Sequence, residues 1–226
     1  MKRIFITLSQ KWPEYLLEII VITVGILGAF ALNNWNENLK RQEQKADTIQ
    51  ELIIEYEENF IFINDVLKSA QIQLNAYDSL IQLLETNENL NIGSIKNKIL
   101  LTLQFLTYNP SQGSIQSVSS SSGFQLIENV ALKQMILNAT GSYADYKENE
   151  GWYINATNRT RLHIAKCYPL DRKDLKSSNA ISECDLNNFQ LENQLRMAFG
   201  NLKEVVREAG RIKNEIHFIL TELPKE

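Results

Sequence analysis

The chain has 226 residues, a formal net charge of −4 and 44% hydrophobic residues, a balance typical of a folded protein rather than a disordered one. Its two cysteines and two histidines exclude a disulfide-dense scaffold, a Cys₄ metal site and a His₃ metal site within one chain. The acidic balance argues against nucleic acid as a partner. Only nine glycines and four prolines favour long helices over a loop-rich β-sandwich.

The first predicted element is a membrane anchor. Residues 16–32 read LLEIIVITVGILGAFAL, a run in which Glu18 is the one charged residue. A spanning helix needs about 20 mainly apolar residues, with a lower limit of about 17. Aromatic residues suited to the membrane interfaces flank the run: Trp12, Tyr15 and Trp35. Pro13 is a helix-start signal, so we predict that the helix begins there.

A cleaved signal peptide is the alternative interpretation of this segment. Lys2 and Arg3 give a basic start, and residues 29–31 form an A-x-A string, as at a signal cleavage site. The carboxylates of Glu14 and Glu18 argue against it, and the helical pattern continues past the string. The basic residues on the two sides of the run are nearly balanced, with a slight excess before it, which favours a cytoplasmic N-terminus.

One face of the predicted anchor carries small and polar residues. Steps of 7, 4, 4 and 3 residues place five of them on the same side of a helix: Glu18, Gly25, Ala29, Asn33 and Asn36. Gly25 and Ala29 form a small-xxx-small pair, which allows a second helix to approach closely in lipid. We therefore predict a membrane-helix association face. The alternative is that Glu18 only reaches back to the interface, while Asn33 and Asn36 already lie among the headgroups.

The motif from Glu18 through GILGAFALNNWNE (residues 25–37) resembles the hallmark of an uncharacterised family of small single-pass membrane proteins, mainly of Bacteroidota. A looser second match is SSGFQLIENVALKQMI (residues 121–136). The resemblance implies a mostly helical envelope protein with no catalytic residue to carry over. Together with the charge balance, it leads us to expect the bacterial inner membrane, with the N-terminus cytoplasmic and most of the chain periplasmic.

Beyond the anchor, apolar residues recur in alternating steps of three and four, which predicts one long amphipathic helix. The series comprises Ala46, Ile49, Ile53, Tyr56, Phe60, Ile63, Leu67, Ala70, Leu74, Tyr77, Ile81 and Leu84. Its register extends back to Gly25, so we expect anchor and helix to be continuous from about residue 13 to 88. Three further residues widen the apolar face to that of a bundle helix: Leu52, Val66 and Leu80.

The middle of the chain is less regular. Residues 96–106 form a nearly all-apolar segment, which predicts a short buried helix capped by Ser94. Residues 114–123 predict a second short helix that ends at Gly123, with a low-complexity linker as the alternative. Asn129 is the predicted N-cap of a third helix that continues to about residue 166.

The C-terminal part mirrors the long first helix. Apolar residues alternate in steps of four and three from Leu191 to Leu223, Asp185 or Asn187 can cap the start, and Pro224 ends the helix. We predict that this helix packs antiparallel against the first, with Leu223 beside about residues 46–53. The predicted fold is all-α, an extended helical bundle with shorter middle helices.

This pattern predicts three parts of the chain: a cytoplasmic tail over 1–14, a transmembrane anchor over 15–36 and a helical bundle domain over 37–226. Motifs of hydrolases, nucleotide-binding proteins and metalloproteases are absent from the sequence, so we expect no catalysis and no cofactor. The acidic cluster Glu55, Glu57 and Glu58 is expected to face solvent.

The two cysteines are disulfide candidates, because Cys167 and Cys184 flank the connection between two long predicted helices. A zinc site with His163 is the weaker alternative, since three ligands leave an open position.

Two classes of function fit these features. The first is a non-catalytic envelope module that is tethered to the lipid bilayer and binds itself or a partner membrane protein. The second is a ligand-sensing periplasmic bundle that acts through a partner's span, an interpretation based on fold-level analogy.

Overall fold

The computed structural model describes residues 2–86, 92–120, 123–165 and 189–224, with side chains described from Trp12 onwards in the first helix and from Ile95 onwards in the second. The elements are α1 (Lys2–Thr86), α2 (Ile92–Thr102), α3 (Gly113–Ser119), a 3₁₀ turn (Gly123–Gln125), α4 (Val130–Ala165) and α5 (Phe189–Glu222). All regular structure in these ranges is helical, which confirms the predicted all-α class.

The chain divides into two compact units, residues 1–50 and 51–226. Helix α1 contributes to both. In the first unit, every described side chain from Trp12 to Gln44 is exposed. The second unit, called the bundle below, contains the rest of α1 and all the later helices, and it holds the buried core.

Helix α1 begins at Lys2, so the prediction that Pro13 starts it is wrong. Pro13 lies inside the helix. Proline removes only its own N–H and fixes φ near the helical value, so a helix can continue through it with a lost hydrogen bond and a local bend. At the other end the helix reaches Thr86, close to the predicted residue 88, which lies outside the described residues.

Within the bundle, α1 buries a wider face than the alternating series alone predicts. This face is broad because α1 contacts both α4 and α5, through Gln73–Tyr153 and Tyr77–Phe199. Two heptad positions of α1 are buried: Tyr56, Ile63, Ala70, Tyr77 and Leu84 form one, and Leu52, Asn59, Val66, Gln73 and Leu80 form the other. The alternating series also contains a third heptad position, which is mostly half-buried.

Helix α5 packs antiparallel to α1, as predicted. The rings of Phe60 and His217 lie 6.2 Å apart, and those of Tyr77 and Phe199 lie 5.9 Å apart. Residue numbers thus rise along α1 as they fall along α5, so Leu223 lies toward the start of the bundle part of α1. The proposed caps Asp185 and Asn187 lie outside the described residues.

Helix α4 is the third long element of the bundle. Asn129 caps it, since its Oδ1 accepts hydrogen bonds from the backbone N–H of Ala131 (2.9 Å) and Leu132 (3.2 Å). It has 36 residues and ends at Ala165, close to the predicted residue 166, and it is slightly longer than α5, which has 34.

Helix α4 packs antiparallel to α5. Near the start of α4, the Ser142 hydroxyl donates to Glu215 Oε1 at 2.8 Å. Farther along, the Asn201 amide donates to the Trp152 carbonyl at 3.2 Å. The later residue of α4 thus meets the earlier residue of α5, which places the end of α4 and the start of α5 at the same end of the bundle.

The two short helices differ from their predicted bounds. Helix α2 starts at Ile92 and ends at Thr102, so Ser94 lies inside it rather than at its cap. Helix α3 ends at Ser119, four residues before Gly123. A Cβ at Gly123 would lie 2.5 Å from the Ser117 carbonyl oxygen, so the chain leaves α3 by a close approach that only glycine permits.

Candidate functional site

The association face predicted on α1 is exposed along its whole length. A Cβ added at Gly25 would meet nothing within 4 Å, and Glu18, Ala29 and Asn36 are exposed as well. The Asn33 side chain donates to Glu37 Oε1 at 2.8 Å within the same helix. Packing within the first unit therefore does not explain the glycine, and the role of this face stays a prediction.

Helix α1 is long and apolar enough to cross a membrane, and it alone meets that test among the described residues. The predicted interface residues Trp12, Tyr15 and Trp35 are all exposed on it. Length and composition are the basis of this finding; the orientation and the compartment stay predictions.

A second feature, missed by the sequence analysis, is an irregular segment between α2 and α3, called the strap (residues 103–112). Its first part was predicted to be helix. The carbonyls of residues 102–104 instead accept hydrogen bonds from side chains, and because these bonds replace the carbonyls' helical partners, the helix can end at Thr102. Thr102 accepts from Tyr77 (2.7 Å), Leu103 from Arg161 (2.7 Å) and Gln104 from Tyr153 (2.8 Å).

Buried polar side chains also hold the later part of the strap. Asn59 of α1 donates to the Ser111 carbonyl at 2.8 Å and accepts from the Ser111 N–H at 2.9 Å. Glu150 of α4 accepts from the Tyr108 N–H at 3.0 Å and pairs with Lys147. A non-helical backbone inside a protein needs such partners, so these buried polar residues have a structural role.

The acidic cluster on α1 divides between core and solvent. Glu57 and Glu58 are exposed as expected, but Glu55 is 5% exposed, so that part of the prediction is wrong. Its Oε2 accepts a 2.6 Å hydrogen bond from the Ser114 N–H in the first turn of α3. A helix leaves its first N–H groups without internal partners, which explains why a carboxylate is useful at this buried position.

Tyrosines dominate the region around the strap. The Tyr108 ring lies 5.7 Å from Tyr146 and 6.2 Å from Tyr143, both edge-on. Burial raises the pKa of Tyr56, Tyr108 and Tyr146 far above the ordinary value. These phenols are therefore protonated at any physiological pH, so they can donate hydrogen bonds but do not serve as phenolate bases.

A small cavity lies beside these tyrosines and is called the Tyr56 cavity below. Its volume is about 40 Å³, and its lining residues include Tyr56, Asn59, Tyr108, Ala139, Tyr143 and Ile212. One water occupies roughly 10–15 Å³ of such a cavity, so there is room for a few waters. The space is too small for an ordinary metabolite.

The cysteine predictions fall outside the part of the chain that the structure describes. Cys167 and Cys184 both lie there, so the disulfide stays a prediction. His163, the third residue of the zinc alternative, is half-buried on α4. In the described ranges no group of three or more His, Cys, Asp or Glu residues is arranged to hold a metal ion.

Comparison with known proteins adds one finding. A family model described as Family of unknown function (DUF6090) matches residues 18–196, about four fifths of the chain. No curated protein and no solved structure matches.

Proposed function

Because the chain belongs to the family of unknown function DUF6090, we propose a function from the geometry of its own residues. It is a non-catalytic helical module, anchored in the inner membrane by α1, that binds a partner membrane protein or a second copy of itself. Its bundle lies in the periplasm, and the lipid bilayer surrounds the anchor. The single-pass topology and the bacterial source expected from the resemblance are parts of this proposal.

The observation that carries the proposal is the exposed face of Glu18, Gly25 and Ala29 on a helix long and apolar enough to cross a membrane. Glycine inside a helix costs about 1 kcal/mol relative to alanine, and a Cβ at Gly25 would meet no neighbouring atom. A second membrane helix packed on Gly25 and Ala29 would gain close backbone contact. The same partner would cover Glu18, an ionisable residue that is costly within a membrane.

The ligand-sensing alternative rests on fold-level analogy alone. Within the described part of the chain, the Tyr56 cavity measures about 40 Å³, whereas ligand pockets usually have volumes of several hundred Å³. The expectation that the protein is not an enzyme rests on the absence of catalytic motifs from the sequence.

A matched pair of variants tests the association face. Gly25→Leu places a large side chain on the face, while Ala31→Leu makes a similar enlargement on the opposite side of the same helix. Crosslinking in native membranes, followed by purification of the full chain, measures the yield of dimer and of partner adducts. We expect the yield to fall about tenfold in Gly25→Leu, equivalent to a loss of about 1.4 kcal/mol.

Ala31→Leu should leave the yield unchanged. Partner adducts would identify a receptor or complex subunit, and dimers alone would identify self-association. An undiminished yield in Gly25→Leu would contradict the association face and leave Glu18 as a residue that only reaches the membrane interface.

A further inference from the structure

Three isoleucines of α1 lie on the outside of the bundle. Ile54, Ile61 and Ile72 are each 50–64% exposed. They are 7 and 11 residues apart, which is about two and three helical turns, so they lie along one line of the helix over about 27 Å. This surface is called the isoleucine face below.

The helix and the bundle do not account for these isoleucines. A β-branched side chain loses rotamer freedom in a helix, so an isoleucine that buries little contributes little to the stability of α1. Helix α1 packs other faces against α4 and α5, through Tyr153 and Phe199. Single exposed apolar residues are ordinary, but aligned ones bordered by charges are typical of an interaction site.

The charges that border the isoleucine face at its Ile54 end are acidic. Glu51 and Glu58 lie on one side of the line and Glu57 on the other, and all three are exposed. No described basic side chain forms an ion pair with them. Residues 51–67 include no lysine or arginine. Positive charge from outside the bundle would therefore find these carboxylates available.

The other half of the isoleucine face is electrically neutral. Asp65 and Lys68 lie between Ile61 and Ile72 and form an exposed ion pair with each other at 3.2 Å. This pair adds no net charge to the face. The excess of negative charge is thus confined to the part around Ile54 and Ile61.

The acidic border distinguishes among the possible occupants. A second copy packed on the same face would bring its own Glu57 and Glu58 toward these carboxylates, and like charges across paired helices repel. An anionic lipid surface would be repelled in the same way. A helix with apolar residues flanked by lysine or arginine would cover the isoleucines and pair with the glutamates, as e and g residues do in a coiled coil.

We propose that the isoleucine face binds an amphipathic helix of a partner protein. The partner's apolar residues pack against Ile54 and Ile61, and its lysine or arginine side chains pair with Glu57 and Glu58. This proposal deepens the proposed function by stating the chemistry of the partner, and it rests on that function because it requires a partner protein.

Site-specific photocrosslinking of the full chain in native membranes tests the face. A benzophenone amino acid replaces Ile61, and mass spectrometry identifies the peptide that it captures. We expect a partner segment with apolar residues at helical spacing and with lysine or arginine beside them. The same photoreactive group at Asn155, an exposed residue of α4, should not capture that segment.

Charge reversal tests whether the glutamates take part in recognition. Glu57→Lys combined with Glu58→Lys should lower the adduct yield about tenfold, equivalent to about 1.4 kcal/mol of binding free energy. Asp78→Lys combined with Glu148→Lys makes the same change of net charge at other exposed positions and should leave the yield unchanged. Glutamate in place of the partner's captured basic residues should restore the adduct of the reversed chain, which a misfolded chain could not form.

Three crosslinking results would each overturn the proposal: no adduct, a captured segment without basic residues, or an adduct to a second copy of the chain. A yield that does not fall when Glu57 and Glu58 are reversed would overturn it as well. The test is separate from that of the anchor. The expected adduct at Ile61, together with normal association of Gly25→Leu, would support this proposal and contradict the association face. The reverse results would contradict this proposal alone.

Discussion

The Asn59 side chain hydrogen-bonds to the backbone of the strap in the way that a neighbouring β-strand would. A primary amide presents a donor and an acceptor side by side, as a peptide group does. Asn59 directs both at Ser111, with distances of 2.8 and 2.9 Å. The Asn59 side chain itself is buried, with 4% of the residue exposed. The strap therefore depends on this amide at a point where it has no helical hydrogen bonds.

Replacing Asn59 with alanine should lower the free energy of unfolding by about 1–3 kcal/mol, because the Ser111 N–H and carbonyl lose the two hydrogen bonds of this amide. Asn64→Ala is the matched control, since the Asn64 amide donates only to the Phe60 carbonyl of its own helix turn at 2.6 Å and should cost about 0.5 kcal/mol. Urea unfolding of the full chain in detergent measures both. Equal costs for the two variants would show that the strap does not need Asn59.

At the scale of the elements, the spacing of apolar residues predicted which faces of α1 and α5 are buried by helix packing. On α1, burial was predicted for Leu52, Val66 and Leu80, which widen the apolar face. Burial of the polar residues Asn59 and Gln73, at the same heptad position, was not predicted. Their heptad spacing was a usable signal, since both fall in that same register. All ten positions predicted for the C-terminal helix are buried: Leu191, Leu195, Ala198, Leu202, Val205, Ala209, Ile212, Ile216, Ile219 and Leu223.

The strap could not be predicted in the same way. An irregular segment has no repeat, and its path depends on side chains distant in sequence, such as Tyr153 and Glu150. The apolar composition of residues 96–106 favoured a helix that continues to residue 106. Hydrogen bonds from α1 and α4 to the carbonyls of residues 102–104 overrode that preference. Local pattern likewise placed Glu55 in solvent, because its acceptor role appears only when Ser114 is brought beside it.

The burial of one face of α1 in the bundle can be tested with two isoleucines that lie two residues apart. Ile63 is 0% exposed and Ile61 is 64% exposed. Ile63→Asp should cost about 3–5 kcal/mol, because an unpaired charge enters the core, whereas Ile61→Asp should change stability by about 0.5 kcal/mol. Unfolding midpoints of the two variants, measured by circular dichroism in the same detergent, give the comparison. A small loss of stability in Ile63→Asp would contradict the placement of Ile63 in the core.

At the scale of the whole molecule, the orientation in the membrane decides in which compartment the bundle works. The family match covers residues 18–196 and thus includes most of the candidate anchor together with most of the bundle. Basic residues are nearly balanced around the anchor, so charge alone decides the orientation weakly. The cysteines offer a chemical measure, since disulfides form in oxidising compartments and are rare in the cytoplasm.

Cys167 and Cys184 lie outside the described residues, but the helices on either side constrain the prediction. Helix α4 ends at Ala165 and the antiparallel α5 begins at Phe189, so these two helix ends lie at the same end of the bundle. A disulfide needs a Cα separation of about 4.4–6.8 Å. Closing this loop would stabilise the fold by about 3 kcal/mol in the chain-entropy model. If the bundle is periplasmic, we expect the bond to form.

Thiol labelling of whole cells, with and without reductant, measures this outcome. Thiols that react only after reduction would support both the bond and a cytoplasmic N-terminus. Thiols that react from outside without reductant would support that orientation and contradict the disulfide. Thiols that react only after the inner membrane is permeabilised would indicate the opposite topology. Cys167→Ser and Cys184→Ser provide the control, because breaking a real bond frees the remaining thiol in each. A bonded pair would also eliminate the zinc alternative, since disulfide sulfurs are not thiolate ligands.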